Sequence, residues 1–423
     1  MNRDGQKRVL SNIVSPYGLA VISYVLFLFA WLIPPSVYTN YMQERDLMFL
    51  DPATFLFYTL CVAAFILGVF LWGSLFPSAP VAKRMLETIV PPVLFVWVPL
   101  TIGIALTVIY SVLFIKSNPT LVLTLLALQG SEIKEMAALL GTENKLALVT
   151  PFLTGIIWWA AWRYGQLDLK KMQRRLLKFT LVLAIFSVIV AATLTLSRSE
   201  LMIVISGLSV LLVLRRDEQG RLDARFVARF GIAFGVLIVF LFLSFAFLRG
   251  SQAPDVLICQ FLGYTFASYN RLAAMVNDGL RYPFAGHGIY LSSVIAFSQS
   301  LGHVLPFREA MGSPEYLEVW GSQFGAVSRA GLSEGLIWSG AFGYIFSDVG
   351  WFAPLVLFGY GLLCGFLWNA MRAGKLLGVV LYPWCAFCIL FWFGTNYLLD
   401  TPSSILVLDV MILSVYERLL LKI

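Results

Sequence analysis

Apolar runs fill so much of this chain that most soluble folds are closed to it. Crossing ~30 Å of hydrocarbon takes roughly 17–25 helical residues. Runs of about that length lie at 17–36, 53–76, 89–115, 146–162, 179–197, 201–214, 230–248, 349–371, 376–399 and 401–416. The sixth and tenth are short, and the tenth contains Asp409. Charged residues make up 13% of the sequence, against about 25% in a soluble domain. The expectation is an all-α polytopic membrane protein with ten transmembrane helices.

The basic residues test that count independently, because short cytoplasmic loops collect Lys and Arg. With the N-terminus inside, the inner segments hold Arg3, Lys7 and Arg8; Lys83 and Arg84; Arg163, Lys170, Lys171, Arg174, Arg175 and Lys178; Arg215, Arg216, Arg221, Arg225 and Arg229; Arg372 and Lys375; Arg418 and Lys422. These are 20 of the 30 basic residues. Both termini are then cytoplasmic. The chain divides into a membrane domain of seven spans (1–248), a long outer loop (249–338) and a second membrane domain of three spans (339–423). The first run ends at Pro34-Pro35 without a small-residue cleavage site, which predicts a retained span rather than a removed signal peptide.

The net charge of +7 is explained by these loops, so no nucleic-acid partner is implied. Of the five cysteines, Cys61, Cys364, Cys385 and Cys388 sit inside apolar runs and Cys259 does not. Cys385-Ala-Phe-Cys388 has redox spacing, but within an uncharged stretch helix packing is the better reading. His287 and His303 are the two histidines, with no Cys or carboxylate cluster beside them, so no metal site is predicted. There is no Walker loop and no dinucleotide fingerprint, and no stretch supplies a soluble motor domain. Short apolar pieces at 121–128, 137–140, 256–268 and 289–297 are too short to span and read as interfacial helices.

Charges near lipid mark the candidate site. Ser197-Arg198-Ser199-Glu200 joins the fifth and sixth runs, and the two crossings between Lys178 and Arg215 share 36 residues. At 1.5 Å per residue each crossing has ~27 Å, which leaves almost nothing for a turn. Arg198 and Glu200 therefore sit at or just below the membrane boundary, either facing protein or a wet cavity or snorkelling as a mutual pair. Asp348 and Asp400 fall at outer ends of spans, and Asp409 lies deeper as a packing partner.

The outer loop carries arginines and aromatics together: Arg249, Arg271, Arg281, Arg308 and Arg329 beside Tyr269, Tyr290, Trp320 and others. Guanidinium forks grip phosphate, and aromatic faces cover sugar rings. Transfer of a glycan from a polyprenol diphosphate needs cations on the diphosphate as charge develops and a base at the attacking hydroxyl. Arg198, Arg249, Arg271 and Arg329 are candidates for the first task. Glu200, Glu334 and Asp348 are candidates for the second. His287, Tyr269 and Tyr290 are added as glycan contacts. Taken singly, each arginine is better explained by contact with lipid headgroups; several together on one face favour the functional reading.

Thr193-Leu-Thr-Leu-Ser-Arg198-Ser-Glu200-Leu resembles the turn between two tight spans in Wzy-type O-antigen polymerases. Trp338-Ser-Gly-Ala-Phe-Gly-Tyr344-Ile-Phe-Ser-Asp348-Val-Gly350 is similar to the aromatic–Asp–x–Gly approach to a late span in that family, and the long outer loop after the seventh run matches its layout. Some members carry an arginine, ten residues and a glycine in outer loops; Arg329 and Gly340 have that spacing. The resemblance implies a multi-pass protein of a bacterial inner membrane, similar in fold to C-type glycosyltransferases. It would polymerise undecaprenyl-diphosphate-linked repeat units for O-antigen or related lipopolysaccharide, with no cofactor or metal. Its partners would be lipid-linked oligosaccharides, membrane lipids and a chain-length regulator. The rivals are an O-antigen ligase acting on lipid A core and a flippase for the same lipid-linked glycan.

Overall fold

A computed structural model describes residues 12–76, 87–117, 119–127, 146–250, 253–291 and 316–421. Arg3, Lys7, Arg8, Lys83, Arg84, Lys422, His303, Arg308 and the stretches 128–145 and 292–297 lie outside these residues. Among the described residues there is no strand, only one isolated bridge between Thr88 and Leu421.

Each of the ten long apolar runs is helical over most of its length. In chain order these are α1 (Pro16–Leu32), α2 (Pro52–Leu75), α3 (Pro92–Ser117), α4 (Leu146–Arg163), α5 (Lys171–Leu194), α6 (Arg198–Glu218) and α7 (Ala224–Leu248). The 249–338 segment supplies α8 (Pro254–Leu262), α9 (Ser268–Val276) and α10 (Tyr316–Arg329). The chain ends with α11 (Gly340–Val349), α12 (Ala353–Arg372), α13 (Leu376–Leu390) and α14 (Thr401–Leu420). Five helical segments are long and apolar enough to cross a bilayer: α2, α3, α5, α7 and the α11–α12 run. The pair of α1 with Pro35–Met42, bent by 88° at Pro34-Pro35, brings this to as many as six. The structure is that of a helical membrane protein.

Proline starts α1, α2 and α14, where its missing N–H would lack a helical partner anyway, and Ser15, Asp51 and Asp400 cap those helices. The closest pair is α2 against α12, and glycine makes it possible. A Cβ on Gly68 would collide with the Phe358 carbonyl, and one on Gly361 with the Phe65 carbonyl. Gly361 and Gly365 stand one turn apart on α12, the small-residue spacing that lets membrane helices approach at backbone distance.

Buried ion pairs fix the rest. Arg163 on α4 grips Glu417 on α14 through two hydrogen bonds of 2.6 and 2.8 Å, and Trp159 Nε1 adds a third at 2.7 Å. Asp409 on the same helix is fully buried against Gly155 of α4, as a packing residue there must be. Neither of its oxygens has a hydrogen-bond partner among the described residues.

The 256–268 piece, expected as an interfacial fragment, does not stand alone. α8 passes through a π-helical turn, Gly263–Ala267, directly into α9. The ninth run, expected to span to 399, leaves the helix at Leu390. A distant segment meets the chain there: the Trp392 carbonyl accepts from Ala341 N at 2.7 Å, and Gly340 at φ +71° gives the close approach this needs.

Candidate functional site

The turn between α5 and α6 takes three residues, 195–197. Ser197 N bonds Ala192 O at 2.9 Å and Leu196 N bonds Thr193 O at 3.2 Å. That is the helix-terminating pattern that requires a left-handed residue, usually glycine. Here Leu196 fills the position at φ 49°. A bulky residue held there stores strain and persists only where its surroundings fix it. Leu196 is buried, and Arg249 Nη2 holds its carbonyl at 2.7 Å.

Chain reversal in so few residues puts the first turn of α6 against a cavity of about 390 Å³. Ser197, Arg198, Ser199 and Glu200 line it from α6, with Arg249 at the end of α7 and Tyr264, Thr265 and Phe261 from the α8–α9 stretch. Trp338, Phe387, Phe391, Phe393 and Tyr397 complete the wall. The opening N–H groups of a helix have no partner in their own helix, so this end favours negative charge.

Arg198 is buried between two rings, its guanidinium carbon 4.0 Å from the centre of Tyr264 and 4.4 Å from that of Phe242. A desolvated cation on an aromatic face gains about 2 kcal/mol, which offsets part of the cost of burying it. Its Nη1 has no hydrogen-bond partner among the described residues. The same holds for Arg249 Nε and Glu200 Oε2. Arg198, Arg249 and Glu200 thus line one hollow, while these three atoms themselves are shut off from solvent within its wall. Such atoms are costly to bury.

Of the residues expected at the site, the structure brings together Arg198, Glu200 and Arg249. It does not bring Arg271 there. Arg271 is fully buried and bonds Glu44 at 2.9 and 3.1 Å, with Nη1 also on the carbonyl of Ala267 and Nη2 on that of Ser333; its Nε has no partner among the described residues. Asn270 joins the same carboxylate at 3.0 Å. The pair clamps the 44–47 segment to α9 and to the 333 loop. Arg329, His287 and Glu334 are exposed, and none lines the cavity.

Asp348 is likewise engaged elsewhere. Its carboxylate accepts from the backbone N–H of Gly286, Tyr290 and Leu291 at 3.1, 2.8 and 2.7 Å. That pins the 286–291 loop on α11. Tyr290 is buried and packs with Tyr282 and Tyr344, ring centres 5.5 and 5.6 Å away. Burial pushes the Tyr282 hydroxyl up to about 12, so it stays a donor, and it bonds the Ile337 carbonyl. Tyr269 is buried among Phe27 and Tyr58. These aromatics are buried in the packing of the 249–338 segment and are not presented to a ligand.

Sequence pattern gave no sign of the wall from the end of α13, Phe387 to Tyr397, or of Phe242 on α7. Both were hidden as ordinary apolar span residues. Among the described residues no group of three His, Cys, Asp or Glu is placed to hold a metal. No protein-family model, curated protein or solved structure matches this chain.

Proposed function

We propose that this protein is a membrane glycosyltransferase that polymerises polyprenyl-diphosphate-linked oligosaccharide repeat units on the outer face of a bacterial inner membrane. The observation that carries the reading is the cavity beside Leu196: two arginines and a carboxyl at one end, aromatic and aliphatic side chains through the rest. An amphiphile with an anionic head fits that division. Ten spans with both termini inside would put the cavity at the outer boundary, in keeping with the distribution of Lys and Arg.

In this mechanism Arg198 and Arg249 hold the diphosphate, aided by the first turn of α6. Glu200 accepts the proton of the attacking sugar hydroxyl on the next lipid-linked unit. The hydroxyl oxygen forms a bond to the anomeric carbon as the bond from that carbon to the diphosphate oxygen breaks. The polyprenyl diphosphate departs with the electron pair, and the arginines neutralise the charge it gains. Tyr264, Trp338 and Tyr397 supply aromatic faces for sugar rings.

The test is reconstitution of the full chain in liposomes with purified lipid-linked repeat units, read by mass spectrometry. Ladders of joined repeats on the polyprenol support a polymerase. Glycan joined to lipid A core instead identifies a ligase. Movement across the bilayer without new bonds identifies a transporter and ends the enzyme reading.

A further inference from the structure

α7 is the loosest member of the bundle. In its apolar stretch 17% of residues are buried, against 28% to 44% in the other four candidate spans. Its extended packing, among the described residues, is against α6 and α8, and none is against α13. Yet the cavity is walled on one side by Ile238 and Phe242 of α7 and on the other by Phe387 of α13 and Phe391 just beyond it. The hollow therefore lies in the wedge between two helices that do not close on each other.

Depth matters as well. Ile238 is 11 residues before Arg249 on α7, an axial rise of about 16 Å. Met202 lies one turn below Arg198 on α6 and also faces the hollow. The lower part thus offers Ile238, Met202, Phe387 and Phe391 and no charge. It is continuous with the end that Arg198 and Arg249 line. A cation pair above an uncharged slot selects one occupant, a hydrocarbon chain attached to a phosphate.

We infer that the α7–α13 wedge is the seat of the isoprenoid chain next to the diphosphate, and that Ile238 and Met202 set how much of that chain is gripped. This rests on the proposed function and adds the part of the substrate recognised below the headgroup. Membrane helices without a covering neighbour leave such a slot open to lipid, so the substrate slides in sideways and does not leave the bilayer.

The test uses the full chain in nanodiscs with two probes, inorganic diphosphate and farnesyl diphosphate. The wild type is expected to bind farnesyl diphosphate roughly tenfold more tightly or better, from the apolar area the chain buries. Ile238→Trp, on a partly exposed position of α7, fills the slot; it abolishes that gain and leaves inorganic diphosphate binding unchanged. Met202→Trp, from the facing wall, does the same. Comparison with the wild type cancels partition of the probe into lipid. A gain that survives both substitutions, or no gain in the wild type, overturns the proposal. Arg198→Ala reads the headgroup separately: if it leaves both probes bound as before, the diphosphate role of Arg198 fails, while a chain-dependent loss in Ile238→Trp still stands.

Discussion

Arg249 Nη2 donates to the Leu196 carbonyl at 2.7 Å, and that one bond ties the end of α7 to the strained turn that starts α6. Arg249 therefore has two tasks, to steady the turn and to add a cation to the cavity wall. Lysine keeps the charge but not the fork. Arg249→Lys is expected to lower chain growth about tenfold, the scale of one lost charged hydrogen bond, and Arg249→Ala to lower it further. Initial rates in liposomes at matched protein levels check this. Equal rates for Arg249→Lys and wild type would show that the fork is not needed.

The Arg271–Glu44 pair predicts a stability effect of a different kind. Removing one partner of a fully buried pair leaves an uncompensated charge, worth about 3–5 kcal/mol. Arg271→Met and Glu44→Gln should each lower the unfolding temperature in detergent sharply. The double variant should recover much of the loss, because no charge is then left buried. A double variant as unstable as the sum of the singles would contradict the assignment of Arg271 to structure.

Asp348 and Glu200 are separated by one comparison. Asp348 holds three backbone N–H groups of the 286–291 loop, whereas Glu200 lines the cavity. Asp348→Asn retains an acceptor and is expected to keep activity within roughly tenfold, with faster hydrogen exchange at Tyr290 and Leu291. Glu200→Gln cannot take a proton and should cost about 10²–10⁴ in rate without faster exchange in that loop. The opposite pattern would make Asp348 the base.

Close approach of α2 and α12 depends on glycine, so Gly361→Leu should be poorly tolerated while Gly73→Leu, which meets nothing within 4 Å, should be nearly silent. Overpacking costs about 1–3 kcal/mol or more where backbone must move. Unfolding temperatures of the two variants give the contrast. Equal temperatures would mean the pair is not held at backbone distance.

Where order in the chain decides structure, the sequence was a good guide. The length of the apolar runs marked the long helices, Pro34-Pro35 ended the first, and the shortage of residues between Lys178 and Arg215 forced Arg198 and Glu200 to a tight turn; the α10 helix, without such a run, was not foreseen. Where distant segments decide it, the sequence was mute. Arg271 looked like Arg198 because its partner Glu44 stands 227 positions away. Asp348 looked like a base because the backbone N–H groups it binds leave no mark in residue type. The aromatic wall from Phe387 to Tyr397 reads as lipid-facing until the Trp392 carbonyl is seen drawing the chain out of α13.

The most direct measurement is the product length made by the Arg198→Ala/Arg249→Ala double variant, reconstituted with lipid-linked repeat units and shown by its unfolding temperature to be folded. Loss of both cations from the diphosphate should leave single repeats on the carrier under conditions where the wild type makes long ladders. Long ladders from the folded double variant would contradict the account.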